Sequence, residues 1–308
     1  MAFFEHKKPV IHTGIKPLDD LEIGPARKEL FLMIAPPKRG KTWGMIHLAK
    51  YALLQKYSVL HVTLEMSEER ISQRYIQSFF SVSKRQATIR IPIFEVGDGR
   101  LLRLDYQELE RKSFDDEGIR KFIAREIPRR FKNRPPLVIK QFPTRSLTMN
   151  GLRAYLDSLE RSMKFVPDVV VLDYGDLMKI DANNLRIDTG RMFQDLRGLA
   201  VERDFALITA TQGNRESSQA KIVTDAMVAE DYSKIATADN VITFSQTETE
   251  REFGLARLFV SNGRNDEDKF SVCISQAYAV GQFCLDAIRM PTNYWTVIDR
   301  PTSESESD

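Results

Sequence analysis

Short apolar runs alternate with longer polar stretches along the first two thirds of this chain. Most of these runs are rich in β-branched or other apolar residues and stop at a polar residue, which is typical of strands buried in a parallel sheet. Such runs cover residues 31–34, 59–64, 137–139, 169–172 and 206–212.

The stretches between the runs predict helices. The clearest example places Leu152, Tyr155, Leu156 and Leu159 at i, i+3, i+4 and i+7, after Thr148 as an N-cap. Further helices are predicted over residues 43–56, 67–79 and 192–203. The last part of the chain changes character, with strand-like runs at 240–246, 255–262, 269–276 and 281–286. This order predicts an α/β fold with a mostly parallel central sheet, helices on both faces and a C-terminal antiparallel extension.

The first strand stops at the sequence APPKRGKT, and a helix-compatible stretch follows. Strand, loop and helix in this order match the P-loop template G-x-x-x-x-G-K-[ST], with Ala35 in place of the first glycine. Backbone N–H groups of such a loop surround a phosphate chain at a helix N-terminus. A chance G-K-T in a lysine-rich loop is the alternative. The predicted ATP-binding residues are Ala35, Pro36, Pro37, Lys38, Arg39, Gly40, Lys41, Thr42 and Trp43.

Three buried strands end in side chains that suit ATP hydrolysis. Asp173 is predicted to hold Mg²⁺ together with the Thr42 hydroxyl, and Lys41 is predicted to contact the β- and γ-phosphates. Glu65 is the candidate that orients the attacking water, and Gln212 the candidate that senses the γ-phosphate. Each has an ordinary alternative: a strand-end aspartate, a helix-capping acid, or a glutamine bonded to backbone.

Composition restricts the other possibilities. The chain has 308 residues and a net charge of +2, so a nucleic acid would have to be held by a local patch. No apolar run approaches the roughly 18 residues of a membrane span, and the N-terminus lacks a signal sequence, which predicts a cytoplasmic protein. Cys273 and Cys284 lack metal-site spacing. We expect a single domain over residues 1–300 and a disordered acidic tail at 301–308.

Several segments depart from the alternating pattern. Residues 8–30 predict an irregular lead-in, and 181–192 a polar, mobile segment. Residues 86–106 predict a β-hairpin insertion around a Gly-Asp-Gly turn. A charged helix is predicted at about 107–133, and its positive residues are interpreted as a solvated face rather than a nucleic-acid patch, because acidic residues lie among them.

Five segments in order resemble DnaB-type replicative helicases. These are HTGIKPLDDL, LHVTLEMSEERISQR, VVVLDYGDLM, ITATQGNRE and SNGRN. The resemblance covers about residues 12–290 and implies a RecA-like core in a hexameric ring or filament, with ATP between neighbouring subunits. It also places Arg264 on the family's arginine finger, which would reach the neighbour's γ-phosphate. Where the helicases have a lysine, this chain has Asn262, and its VAEDYS segment lacks the arginine of the family's DNA loop.

Two functions remain open at this point. The first is an Mg²⁺-dependent ATPase motor acting on single-stranded DNA in replication or repair, alongside other replication or recombination proteins. Its DNA contacts would come from polar loops, with Arg186, Arg191, Arg215 and Lys221 as candidates. The second is a KaiC-like or recombination-mediator ATPase without helicase activity, whose nucleotide state controls protein assembly.

Overall fold

The computed structural model describes residues 10–132, 137–180, 185–213, 233–262 and 269–299. Its larger strands are β1 (Leu30–Ala35), β2 (Val59–Thr63), β5 (Leu137–Gln141), β6 (Val169–Asp173), β7 (Ala206–Gln212), β8 (Asn240–Ser245), β9 (Leu255–Asn262), β10 (Phe270–Ala277) and β11 (Gln282–Arg289). A separate hairpin consists of β3 (Ala87–Gly97) and β4 (Arg100–Arg111). The helices are α1 (Lys16–Asp19), α2 (Lys41–Leu54), α3 (Glu68–Phe80), α4 (Glu117–Arg130), α5 (Met149–Met163), α6 (Leu185–Arg203), α7 (Ser233–Thr237), α8 (Glu248–Glu252) and α9 (Tyr294–Ile298).

The large sheet is mostly parallel and confirms the predicted fold class. Its strand order is β11-β10-β9-β8-β1-β7-β6-β2-β5. The six strands from β8 to β5 pair in parallel, whereas β9, β10 and β11 pair antiparallel at one end. In such a sheet the carboxyl ends of the parallel strands lie along one edge, where ligands bind.

Alternation along β1 distributes its side chains between two cores. Phe31 and Met33 enter the core that contains α2 and α3, whereas Leu32 and Ile34 enter the core that contains α5 and α6. All four are at most 3% exposed. Burying each such side chain contributes roughly 1.5–3 kcal/mol, so the two cores fix the sheet between two layers of helices. This confirms that helices cover both faces.

Local capping sets the helix starts that the sequence indicated. The Ser67 hydroxyl accepts from the Arg70 N–H at 3.4 Å at the start of α3, and Thr148 accepts from the Gly151 N–H at 3.0 Å before α5. Such caps are worth about 1 kcal/mol each. In α5, Leu152, Leu156 and Leu159 are buried as the helical spacing predicted.

The hairpin has longer strands than the sequence predicted. Its turn at Asp98 and Gly99 has positive φ at both residues, +50° and +69°, as a two-residue hairpin turn requires. Strand β4 continues to Arg111, which pairs with Ala87, so the charged helix predicted from residue 107 was wrong over its first ten positions. Cross-strand pairing outweighs the helix propensity of these charged residues. The helix α4 begins only after Asp116, whose carboxylate accepts from the Ile119 N–H at 2.9 Å.

Two other boundaries also differ from prediction. The lead-in contains the short helix α1, because the Asp19 carboxylate accepts from the N–H groups of Thr13 and Gly14 at 2.6 and 2.9 Å and folds the segment back. Helix α6 begins at Leu185, seven residues before the predicted start. On α4, Glu126 forms ion pairs with Arg125 and Arg129 at 3.2 and 3.3 Å, and these arginines are exposed, as expected for a solvated face.

Some sequence predictions fall on residues that the structure does not describe. These are the acidic tail at 301–308 and the first part of the polar segment, residues 181–184. Residues 214–232, which follow β7, also lie outside the described part of the chain. None of the described helices is long and apolar enough to cross a membrane.

Candidate nucleotide site

The loop between β1 and α2 has the backbone geometry of an anion cradle. Gly40 precedes the first residue of α2 with φ +94° and leaves the N-terminal N–H groups of this 14-residue helix without a side-chain cap. A Cβ atom on Gly40 would lie 2.3 Å from the Tyr278 hydroxyl, so glycine is required by both conformation and space. Exposed helix N–H groups attract negative charge, which suits a phosphate.

Ala35 shows why the template's first glycine is dispensable here. Ala35 is the last residue of β1, fully buried, and is not among the residues with positive φ. Its carbonyl accepts from the Gly213 N–H at 3.0 Å, and it lies in register with Gln212 of β7. An alanine adopts this extended backbone without strain, so the substitution leaves the loop geometry intact.

Lys41, the first residue of α2, is partly buried at the mouth of this loop. Burial lowers the pKa of its ammonium group, and the charges of Glu65, Asp173 and Asp176 act in the opposite direction. Its Nζ atom lies 5.2 Å from the centroid of the Tyr174 ring. Within the described part of the chain no carboxylate comes within 4 Å of this atom. The Lys41 ammonium group therefore lies near these three acids but forms an ion pair with none of the described carboxylates.

Asp173 ends β6 with a fully buried carboxylate. Neither of its oxygens makes a hydrogen bond of good geometry with a described residue, and the Thr42 hydroxyl is the donor close enough to act on its pKa. Burial raises the pKa of this group to about 6, whereas the nearby Thr42 hydroxyl lowers it; Glu65 raises it further, and Arg74 and Lys41 lower it. A buried carboxylate without a partner is costly unless a cation completes it. Oxygen ligands from Asp173 and Thr42 are of the type that Mg²⁺ prefers, so these two residues fit that ion.

Glu65 lies two residues beyond the end of β2, which pairs with the strand that ends at Asp173. Thr63 is in register with Asp173, and the Leu64 N–H donates to the Asp173 carbonyl at 2.8 Å. The Thr63 hydroxyl then closes a turn with the backbone of Met66, in which Glu65 is exposed. The strand ends thus bring Glu65, Asp173 and the phosphate loop to one edge of the sheet, and Gln212 ends β7 at the same edge.

Two side chains of the predicted loop already have protein contacts. The Arg39 guanidinium donates to Glu248 at 3.1 Å and so fastens the loop to α8. The Trp43 ring stacks on Tyr278, with centroids 6.0 Å apart and planes at 20°, and the Arg74 guanidinium lies 4.9 Å from the centroid of the Trp43 ring. Arg39 and Trp43 would therefore contribute to a nucleotide site mainly through their backbone.

A buried polar cluster at the same edge was not found from the sequence. The Thr211 hydroxyl donates to Asp176 at 2.8 Å, and the Lys234 ammonium donates to both Asp176 and Thr211. The side chain of Lys234 is only 7% exposed. This lysine lies in α7, and so it ties that short helix to the segment after β6. Asp176 follows Asp173 closely, but nothing in the sequence pairs it with Lys234.

The candidate DNA contacts and the arginine finger are mostly outside the described residues. Arg215, Lys221 and Arg264 lie there, as does the side chain of Arg186. Arg191 is exposed on α6, and its guanidinium lies 3.5 Å from the Asp188 carboxylate. These five assignments stay predictions.

The sequence of this chain matches one family of known proteins. Residues 10–230 match the profile described as DnaB-like helicase C terminal domain. A DnaB-like replicative helicase of Enterobacteria phage T4 is 25% identical over 224 residues, covering 71% of this chain and 42% of that protein. The replicative DNA helicase DnaB of a Nostoc species is 24% identical over 208 residues, covering 67% of this chain and 21% of that protein. The chain thus spans less than half the length of these relatives.

Solved structures show the same fold. The ATPase domain of G40P superposes with a TM-score of 0.67 at 19% identity, covering 89% of this chain and 90% of that one. A structure described as a DnaB-like replicative helicase and its interactions with primase gives a TM-score of 0.67 at 18% identity, covering 90% of this chain and 62% of that one. The RecA-like core predicted from the sequence is thereby confirmed.

Proposed function

Because this chain belongs to the family of DnaB-like helicase C-terminal domains, we propose that it is an Mg²⁺-dependent P-loop ATPase that acts on single-stranded DNA. The observation that carries the proposal is the buried Asp173 carboxylate, which makes no hydrogen bond of good geometry with a described residue and lies near the Thr42 hydroxyl and the Lys41 ammonium. A structural aspartate would have its oxygens paired. A carboxylate without such a partner, next to an anion-binding helix N-terminus, is suited to bind the metal ion of a metal–nucleotide complex.

Each residue of the site then has a definite task in hydrolysis. The N–H groups at the start of α2 and the Lys41 ammonium bind the phosphates, and the low dielectric around Lys41 strengthens that attraction. Asp173 and Thr42 would hold Mg²⁺, which neutralises charge that develops on the phosphate oxygens. Glu65 orients the attacking water and accepts its proton, and Gln212 would respond to the γ-phosphate.

The same proposal includes assembly into a ring or filament. Arg264 would then reach the γ-phosphate of a neighbouring subunit, where an arginine finger typically contributes about 10³–10⁵-fold in rate. Arg264→Ala is expected to keep ATP binding and lose hydrolysis. Mixing this variant with a Lys41→Ala partner, which keeps its finger, should restore some turnover. If no mixing ratio restores turnover, the finger does not act between subunits.

DNA binding is tested by the ATPase rate with and without single-stranded DNA at two salt concentrations. Phosphate contacts shared among several subunits need only a few basic residues from each, so the net charge of +2 is compatible with a motor. Arg186, Arg191, Arg215 and Lys221 are the residues proposed to make these contacts. We expect stimulation that falls as salt rises. An ATPase rate that does not change with DNA at either salt concentration would rule out the motor function.

The alternative is a regulatory ATPase that assembles protein partners without unwinding DNA. It is favoured by two sequence features, Asn262 at the position of the helicase lysine and the acidic segment VAEDYS at the position of the DNA loop. An ATPase without response to DNA but with nucleotide-dependent oligomer size, measured by light scattering, would support this function instead.

A further inference from the structure

Strands β6 and β7 stop pairing with each other before β7 ends. The last pair in their parallel register is Leu172 with Thr209. Among the described strands, the remaining residues of β7, 210–212, pair with β1 alone, and Gln212 lies opposite Ala35. The two strands are therefore not joined by backbone pairing at the carboxyl edge of the sheet. We call this stretch the β6–β7 gap.

The β6–β7 gap separates two groups of site residues. On one side, β1 leads into the phosphate loop and Lys41, and β7 ends at Gln212. On the other side, β6 ends at Asp173, and its neighbour β2 leads to Glu65. Because a misplacement of about 1 Å can cost roughly 100-fold in rate, the two groups must be held at a defined separation for hydrolysis.

Threonine side chains of β7 bridge the gap. Thr209 and Thr211 lie on the same face, since side chains alternate along a strand, and both are at most 1% exposed. The Thr209 hydroxyl donates to the Leu172 carbonyl at 2.8 Å and accepts from the Gly175 N–H at 3.1 Å. The Thr211 hydroxyl donates to the Asp176 carboxylate at 2.8 Å. These buried hydroxyls take the place of backbone pairs beyond the end of the ladder.

Lys234 completes the bridge at the edge of the sheet. Its ammonium group donates to the Asp176 carboxylate and, at 3.3 Å, to the Thr211 hydroxyl. The Nζ atom lies 5.4 Å from the centroid of the Phe193 ring, and the side chain is only 7% exposed. Removing one partner of a buried ion pair leaves the other charge unpaired. Asp176, which is 21% exposed, would then turn toward water and release Thr211.

We propose that Lys234 is a positioning residue for ATP hydrolysis. By holding Asp176 against Thr211 it closes the β6–β7 gap, and so it fixes the phosphate loop and Gln212 relative to Asp173 and the segment that carries Glu65. In this role Lys234 acts through Asp176 and Thr211 rather than on the nucleotide itself. The inference rests on the proposed ATPase activity.

The first test compares Lys234→Met with the control Lys28→Met. Methionine keeps a flexible chain of similar length but carries no charge, so we expect kcat to fall by about 10-fold or more. The affinity for ATP measured without Mg²⁺ should change by less than about 3-fold, because the phosphate loop and Lys41 lie on one side of the gap. Unchanged kcat in Lys234→Met would overturn the proposal.

Lys28 is the matched control because it also forms an ion pair with an aspartate beside β7. Its Nζ atom lies 3.6 Å from the Asp204 carboxylate, at the opposite edge of the sheet, where β1 and β7 begin. Lys28→Met should leave both kcat and ATP affinity unchanged. A loss of kcat equal to that of Lys234→Met would mean that any such pair matters for stability alone, and would contradict a positioning role.

The second test removes the bond from the side of β7. Thr211→Val has a similar shape and suits a strand, but it cannot donate to Asp176 or accept from Lys234. It should lower kcat in the same way as Lys234→Met, whereas Thr211→Ser, which keeps the hydroxyl, should retain most of the rate. Equal losses in the valine and serine variants would overturn the proposal. The same pair of variants decides the question if Lys234→Met does not fold.

The third test asks whether Lys234 acts through Asp176. In an Asp176→Asn background, adding Lys234→Met should lower single-turnover hydrolysis by no more than about 2-fold, since the carboxylate to be held is already absent. A full additional loss would mean that Lys234 acts independently of Asp176, which would overturn the proposal.

These outcomes separate the two claims. If the wild-type protein binds ATP but does not hydrolyse it, the proposed function fails before Lys234 is considered. If the wild type hydrolyses ATP and Lys234→Met does so equally fast, only the role of Lys234 fails.

Discussion

Gly40 allows the geometry of the phosphate loop to be tested in quantitative terms. To keep the binding geometry of the loop, alanine at position 40 would have to adopt φ near +94°, which costs a residue with a Cβ atom about 1–2 kcal/mol. The new Cβ atom would also lie 2.3 Å from the Tyr278 hydroxyl and 3.1 Å from the ring carbon that carries it. Either the loop or Tyr278 must move. Because about 1.4 kcal/mol is a factor of ten, the φ cost alone predicts about 5–30-fold weaker nucleotide binding if the loop relaxes away from its binding geometry.

A second substitution separates the two causes. Tyr278→Phe removes the clashing oxygen and loses the hydrogen bond from Gln276 at 2.9 Å, which is worth about 1 kcal/mol. In the double variant the contact with the hydroxyl should disappear, whereas the φ cost and the weaker 3.1 Å contact with the ring carbon should remain. Gly40→Ala should therefore weaken binding less when it is combined with Tyr278→Phe than when it is made in the wild-type protein.

The assay is a fluorescence titration with a nucleotide analogue, together with urea unfolding. Gly198→Ala is the matched control, since Gly198 lies inside α6 and a Cβ atom there meets nothing within 4 Å. It should leave binding unchanged and stabilise the protein by roughly 0.5–1 kcal/mol. Unchanged nucleotide affinity in Gly40→Ala would refute the reasoning about this loop. Equal losses with and without Tyr278→Phe would refute the steric part alone.

Two further predictions concern buried charge. The pKa of Asp173 is about 6 in the folded state, against an ordinary value of 3.8. Between these pH values the folded state therefore binds more protons than the unfolded state. Metal-free protein should consequently lose stability as pH rises from about 4 to above 6. The difference in the free energy of unfolding between wild type and Asp173→Asn, measured with urea, should change by up to about 3 kcal/mol over this pH range. A difference that is independent of pH would contradict the prediction. Glu250 forms two hydrogen bonds with Arg257, at 2.6 and 2.9 Å, and accepts one from Tyr294 at 2.7 Å. Glu250→Ala should cost about 3–5 kcal/mol by leaving Arg257 buried and unpaired, whereas Glu252→Ala on the exposed side of α8 should cost little; equal effects would contradict this.

The sequence predicted those features that depend on neighbouring residues. The loop between β1 and α2, the strands that lead to Glu65, Asp173 and Gln212, and the cap at Thr148 all follow from patterns within about ten positions. The carboxyl ends of parallel strands lie along one edge of the sheet, so the prediction of a parallel sheet also placed these strand ends together. The alanine in place of the first loop glycine was a local departure from the template, and the backbone at Ala35 explains it.

Features that depend on distant residues were not predicted. Arg74 contacts Trp43 from a different helix, and Tyr278 reaches the loop from the turn after β10. Lys234 and Asp176 form an ion pair across 58 positions. The stretch 107–111 was assigned to a helix because its charged residues favour one in isolation, whereas pairing with β3 decides its structure. Tertiary contacts of this kind leave no periodic trace in the sequence.

The most direct test of the account is ATP turnover by Lys41→Ala under saturating Mg²⁺, followed as phosphate release. Lys41 is a cation of the site without an ion pair among the described residues, and its partial burial strengthens its attraction for phosphate. We predict that the wild-type protein hydrolyses ATP and that this variant, folded as judged by its melting temperature, does not. Undiminished turnover in Lys41→Ala would contradict the assignment of this loop as the nucleotide site.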